Sequence, residues 1–193
     1  MNIKGIRTLR RIFLALSILL GVFSPLFFLY KFPDFNPVIE PISTFGIKES
    51  TYLFWDFTII VLAVAIFLNS KQAIKHHFRK KNVRLFLNLL VIVSSIALSF
   101  VAIISMKMNE PLHQAAAFTY FLVYNFYVFI FGLLRMYKDL RKGFFSVIMG
   151  CLMLLSTLLI IPFESYGVFE IFYVALVLFW NIVIFIKRIR RIG

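Results

Sequence analysis

Long apolar runs alternate with short polar stretches along the whole chain, and the lengths of the runs decide the architecture. Runs at about 12–30, 51–69, 85–106, 113–134, 144–162 and 168–186 are almost wholly apolar. Each is close to the roughly 20 residues that, at 1.5 Å rise, span the hydrocarbon core of a bilayer. The pattern predicts an all-α integral membrane protein, a bundle of six transmembrane helices. Little chain is left over, so residues 1–193 are expected to form a single transmembrane domain. Composition agrees: 62% of residues are hydrophobic and 25 are Phe, well beyond the roughly half-apolar make-up of soluble domains.

The charges orient this pattern. Lys4, Arg7, Arg10 and Arg11 precede the first run, and Lys71, Lys75, Arg79, Lys80, Lys81 and Arg84 fill the second connection. Arg135, Lys138, Arg141 and Lys142 fill the fourth, and Lys187, Arg188, Arg190 and Arg191 follow the last run. Of the 21 basic residues only Lys31, Lys48 and Lys107 fall on the other side, and of the 8 acidic residues only Asp139 shares the basic side. Basic excess in short loops marks the cytoplasmic face, so both termini are expected to be cytoplasmic and the protein to reside in the cytoplasmic (plasma) membrane. The net charge of +13 is then a topology signal. Every basic cluster abuts a span, so anionic lipid head groups, not nucleic acid, are the expected partners of that face.

Several polar residues have plain structural readings. His76 and His77 sit in the basic second connection, read as a solvated loop. Neighbouring residues do not share a helix face, and no Cys or acid nearby completes a metal shell, so no metal is expected at that pair; no cofactor is expected elsewhere, and His113 with the outer acids would form only a ligand-poor zinc site. Cys151 is the sole cysteine; it lies inside the fifth run and reads as a small packing residue. The first run lacks a small-residue cleavage pattern and reads as a retained helix. Ser17 with Gly21, and Ser146 with Gly150, are small pairs at the spacing that lets helices approach closely in lipid. Pro25 is expected to kink the first helix, and Asn181 to form an interhelical hydrogen bond. Glu164 and Glu170 suit the N-terminus of the sixth helix.

The unexplained chemistry gathers in two places. Residues 31–50 carry Pro33, Pro37, Pro41 and Gly46 yet stay rich in Phe, Ile and Val, which predicts a loop folded back over the bundle. Glu49 or Ser50 is expected to cap the second helix. Asp56 then enters the span by about 9 Å at helical rise. A carboxylate at that depth is costly unless it faces the bundle or a wet cavity, so Asp56 is expected to point towards the fourth helix. The second place is the turn before that helix, where Asn109 can cap and Pro111 suits a first turn. His113 follows, with Ala116, Ala117, Tyr120, Tyr124 and Tyr127 along its helical face. Two readings fit that stripe: close packing with tyrosine hydrogen bonds, or the wall of a cavity with His113 at its mouth. On the second reading, Ser43, Thr44, Glu49 and Asp56 share one site with Asn109, His113, Tyr120 and Tyr124.

Pro41-Ile42-Ser43-Thr44-Phe45-Gly46, followed by Leu53-Phe54 at a helix start, resembles the "ISDTG…LF" signature of the DRAM/Frag/Sfk family. Those are six-helix membrane proteins named for damage-regulated autophagy modulators. His113 and the Ala-rich, aromatic helix after it resemble that family's outer histidine and following helix. A related prokaryotic family of unknown function has a similar "S-x-x-G…LF" segment. Thr44 stands where the eukaryotic pattern has Asp. The resemblance implies lipid-related work. The expected function is therefore an outward-facing polar site that binds or organises membrane lipid. The alternative is an intramembrane lipid-modifying enzyme, an acyl hydrolase or transferase. It would use His113 as base, Asp56 or Glu49 to orient it, and Ser43 or water as nucleophile.

Overall fold

The computed structural model describes residues 3–163 and 165–189. Glu164, Arg190 and Arg191 lie outside them. Six helices follow one another: α1 (Ile3–Lys31), α2 (Tyr52–His77), α3 (Lys81–Ile103), α4 (Met106–Met136), α5 (Leu140–Ser156) and α6 (Gly167–Ile189). All six are long and apolar enough to cross a membrane, α5 together with the short 3-10 turn Thr157–Ile160 that continues it. No strand occurs among the described residues. The chain is a multi-pass, all-α membrane protein. Its surface carries Leu16, Phe57, Leu89, Leu122 and Phe172 exposed, as expected where the solvent is lipid.

α4 packs along α3 on one side and α5 on the other, α2 lies between α1 and α3, and α6 closes the bundle against α5, α2 and α1. The shared core is aromatic: Tyr124, Tyr127, Phe131, Tyr173 and Trp180 are all essentially inaccessible. Association in lipid rests on packing and interhelical hydrogen bonds, because lipid tails are as apolar as Leu. Both are present. Asn69 Nδ2 donates to Asn181 Oδ1 at 3.0 Å, and Asn181 Nδ2 donates to the Tyr124 hydroxyl at 2.7 Å, tying α2 to α6 and α6 to α4. Trp180 Nε1 donates to Ser146 Oγ at 3.2 Å, joining α6 to α5. Asn181 thus makes the interhelical bond expected of it.

The tightest contact is between α4 and α5. A Cβ on Gly132 would lie 2.6 Å from the Val147 backbone nitrogen, and one on Gly150 would lie 2.9 Å from Phe129 Cα. Gly143 backs directly onto the Gly132 carbonyl and the Met136 amide. The expected Ser146–Gly150 approach is therefore one end of a longer glycine-lined seam. Ser17 and Gly21 do the same for α1, where a Cβ on Gly21 would crowd the Leu62 and Leu178 side chains.

Three local expectations are corrected. The basic second connection is not a loop: α2 runs on to His77 and only 78–80 connect it to α3. Ala73, Ile74 and Phe78 are buried there while Lys71, Lys75 and His76 point outward. The helical stripe of the membrane span therefore simply continues past its apolar run. The His77 ring meets Phe131 edge-on at 5.8 Å, and its carbonyl accepts from Lys138 Nζ at 3.3 Å, which docks this extension on α4. Neither Glu49 nor Ser50 caps α2; the cap residue is Thr51, whose hydroxyl instead donates to the Phe45 carbonyl at 3.0 Å. Cys151 is exposed on the lipid side of α5, because Gly143, Ser146, Met149, Gly150 and Met153 take the packed face.

Candidate functional site

The loop between α1 and α2 does fold back over the bundle. Its 3-10 turn Ile42–Gly46 touches α2, α4 and α6. Phe35 and Phe45 are buried with Phe28 of α1 and Trp55 of α2. Phe45 stacks on Phe28 at 4.9 Å with the rings 12° apart. Gly46 permits this, since a Cβ there would sit 2.7 Å from the Trp55 ring.

The residue that holds the turn down is Glu170. It sits in the first turn of α6, 8% exposed. Its carboxylate does not cap its own helix. Oε2 accepts from the Ile42 backbone N–H at 2.7 Å, and the Ser43 amide lies beside the same carboxylate. A carboxylate accepting a backbone amide is a strong, charge-assisted clasp. Two further contacts lie beside it. Ser165 Oγ donates to the Pro37 carbonyl at 3.2 Å, and Gly167 lies directly under the Glu40 and Pro37 carbonyls with no space for a side chain. Glu170 is the functional-face residue that sequence reasoning missed. A first-turn acid looks like a cap, and only the fold brings residue 42 beside it.

The structure gives the candidate site residues separate partners. His113, 4% exposed, has Nδ1 2.7 Å from the Ile104 carbonyl. A carbonyl only accepts, so Nδ1 is the donor. The ring thereby fastens the α3–α4 turn. Ser43 Oγ donates to the Met106 sulfur at 3.2 Å, which brings the turn against the start of α4 and directs the hydroxyl at sulfur. Thr44 Oγ1 donates to the Pro41 carbonyl at 2.8 Å inside the turn. Ser105 caps the first turn of α4, which kinks at Asn109 (φ −160°, ψ 93°); Asn109 caps the longer segment after the kink, as expected, Oδ1 accepting from the Leu112 N–H at 3.0 Å. Tyr120 and Tyr124 are buried and stacked at 5.7 Å in the aromatic core. Glu49 is exposed and Asp56 half-buried. Asp56 has no hydrogen-bond or ion-pair partner among the described residues, so it is not paired with His113. No cluster of three or more His, Cys, Asp or Glu positioned for a metal occurs among the described residues.

Below the clasped turn lies an apolar groove of about 330 Å³ between Gly21, Pro25 and Phe28 of α1 and Ile171, Val174 and Leu178 of α6. Phe35, Ile42, Phe45 and Trp55 roof its loop end. It extends along α6 from Ile171 to Ile182, about 16 Å at helical rise. Ala175 and Phe179 on its rim are exposed, so it opens sideways towards lipid. Two larger grooves of about 460 Å³ each flank α3, one against α2 and one against α4 beside Ala116. Both are more open, and neither is roofed by the loop.

No curated protein and no solved structure matches the chain. A family's sequence profile does match it, across residues 15–187. That match covers all of α2 to α5 and most of α1 and α6, so the chain belongs to the family described as "Protein of unknown function (DUF998)".

Proposed function

We propose that this protein binds a membrane lipid, with an acyl chain lying in the α1–α6 groove beneath the 32–51 loop. The observation that carries this reading is the groove itself: apolar throughout, open to the bilayer on one side and closed at one end by an aromatic roof. Apolar concavities with one defined end select an elongated apolar ligand by shape. The resemblance of Pro41–Gly46 to the DRAM/Frag/Sfk signature, whose relatives work on lipid, supports the same reading. Binding is favoured over catalysis because Ser43 and His113 are each committed to a separate partner, the Met106 sulfur and the Ile104 carbonyl.

Ala175 offers a clean test, because it is exposed and lines the groove without belonging to the core. Ala175→Trp should fill the groove and sharply reduce lipid retained through detergent purification, leaving the thermal midpoint of the lipid-free protein unchanged. Unchanged lipid retention would remove the groove as the binding site.

On this reading the basic face is cytoplasmic, where its lysines and arginines meet anionic head groups, and the lipid groove reaches towards the opposite leaflet. A cysteine at exposed Asp34, in a Cys151→Ala background, should react with an impermeant maleimide on intact cells. Reaction only after permeabilisation would invert the orientation.

A further inference from the structure

Resting on that lipid-binding reading, we infer that the groove's ligand is an anionic phospholipid whose phosphate is held by Lys31 and Lys48. Three basic residues fall on the loop side, Lys31, Lys48 and Lys107, and two of them lie on the segments flanking the groove's roof. Lys31 ends α1 just beyond Leu29, a groove-lining residue. Its ammonium donates to the Ser50 carbonyl at 3.1 Å. The Lys48 ammonium lies 4.2 Å from the centre of the Phe32 ring and 5.5 Å from that of Phe45. Phe45 belongs to the roof of the groove, so Lys48 rests on that roof while Lys31 is fastened two residues along the same loop, at Ser50.

Neither cation is neutralised. Asp34, Glu40 and Glu49 belong to the same loop, yet no carboxylate forms an ion pair with Lys31 or Lys48 among the described residues. An ammonium has three donors. Lys31 uses one on a backbone carbonyl, and Lys48 makes no hydrogen bond through its ammonium among the described residues. Donors therefore remain on both groups for phosphate oxygens, and charge-assisted bonds of that kind are the strong ones. A head group bearing a compensating quaternary ammonium would bring like charge against the two lysines. A glycerol head group would not. The groove thus selects for chain and the lysines select for charge.

The test uses the full chain purified in a neutral detergent, with binding of phosphatidylglycerol and of phosphatidylcholine carrying the same chains read by native mass spectrometry. The wild type should bind phosphatidylglycerol about thirtyfold more tightly than phosphatidylcholine, the scale expected for two lysines near a head group. The double variant Lys31→Gln/Lys48→Gln should bind the two equally, while Lys107→Gln should keep the preference. Glycerol phosphate, the head group without a chain, should not displace bound phosphatidylglycerol. A preference that survives in the double variant overturns the assignment, as does displacement by glycerol phosphate at concentrations comparable with the lipid. Ala175→Trp separates the two levels. If it abolishes both lipids but the lysines do not discriminate, only the charge selection falls. If it leaves both bound, the groove reading falls with it.

Discussion

Glu170→Ala should release the whole 32–51 loop, seen as a lower thermal midpoint in detergent and rapid protease cleavage within the loop. The Ile42 amide loses its acceptor where the side chain beneath it is almost inaccessible. Leaving one buried donor unsatisfied costs about 1–3 kcal/mol. The loop's other fastenings near the turn are neutral ones, a hydroxyl to the Met106 sulfur, a hydroxyl to the Pro37 carbonyl and aromatic contacts, with the Lys31 ammonium holding the Ser50 carbonyl at its far end. Glu170→Gln keeps an acceptor oxygen at the same reach and should lose much less. The ordering Ala below Gln below wild type is the specific expectation. Equal protease resistance in all three would mean that the aromatic cluster alone holds the loop.

A second large effect is expected at the α4–α5 seam. Gly132→Ala places a methyl group 2.6 Å from a backbone nitrogen of α5. Neither helix backbone can yield locally, so the two must separate along their length. Overpacking a well-packed interior costs about 1–3 kcal/mol, and a clash with main chain rather than a side-chain tip should fall at the upper end. Gly5→Ala is the matching control, since nothing lies within 4 Å of a Cβ there. Alanine is a better helix former than glycine by up to about 1 kcal/mol, so that variant should be neutral or slightly more stable. Thermal midpoints of the two variants moving in opposite directions would support the seam. A Gly132→Ala protein as stable as wild type would contradict the close approach.

Sequence reasoning read the bundle well because a bilayer makes the signal one-dimensional: a run is long and apolar enough, or it is not. It also read local backbone chemistry, as with Asn109 ahead of Pro111 and the Asn181 side chain in a greasy helix. It failed where a polar residue had a distant partner. Glu170 looked like a cap, and Asp56 looked like the buried acid. The structure reverses them: Glu170 is clasped and buried while Asp56 is half-exposed and unpaired. Depth along a helix is legible from residue counting, but rotation about its axis is not. Asp56 follows the buried Trp55 by one residue, a turn of roughly 100°, which carries it off the packed face. The same limit applied to the end of α2, where hydropathy falls at Lys71 although the buried stripe runs on through Ala73 and Ile74.

The seam between α1 and α6 has a consequence for how the molecule is made. From α2 to α5 each helix packs on its successor, so those parts can associate as they enter the bilayer. α1 and α6 are the farthest apart in the chain, and their contact forms only after α6 has been inserted. Until then the Gly21–Phe28 side of α1 is bathed in lipid tails, and the Ile42 amide lacks the acceptor that α6 brings. Insertion of the last helix therefore does two things in one step: it delivers Glu170 to the waiting loop, and it walls in whatever tail already lies along α1. On the lipid-binding reading, a lipid seated there would need no gate: it could be taken up from the membrane in which the protein assembled and exchange through the same open side.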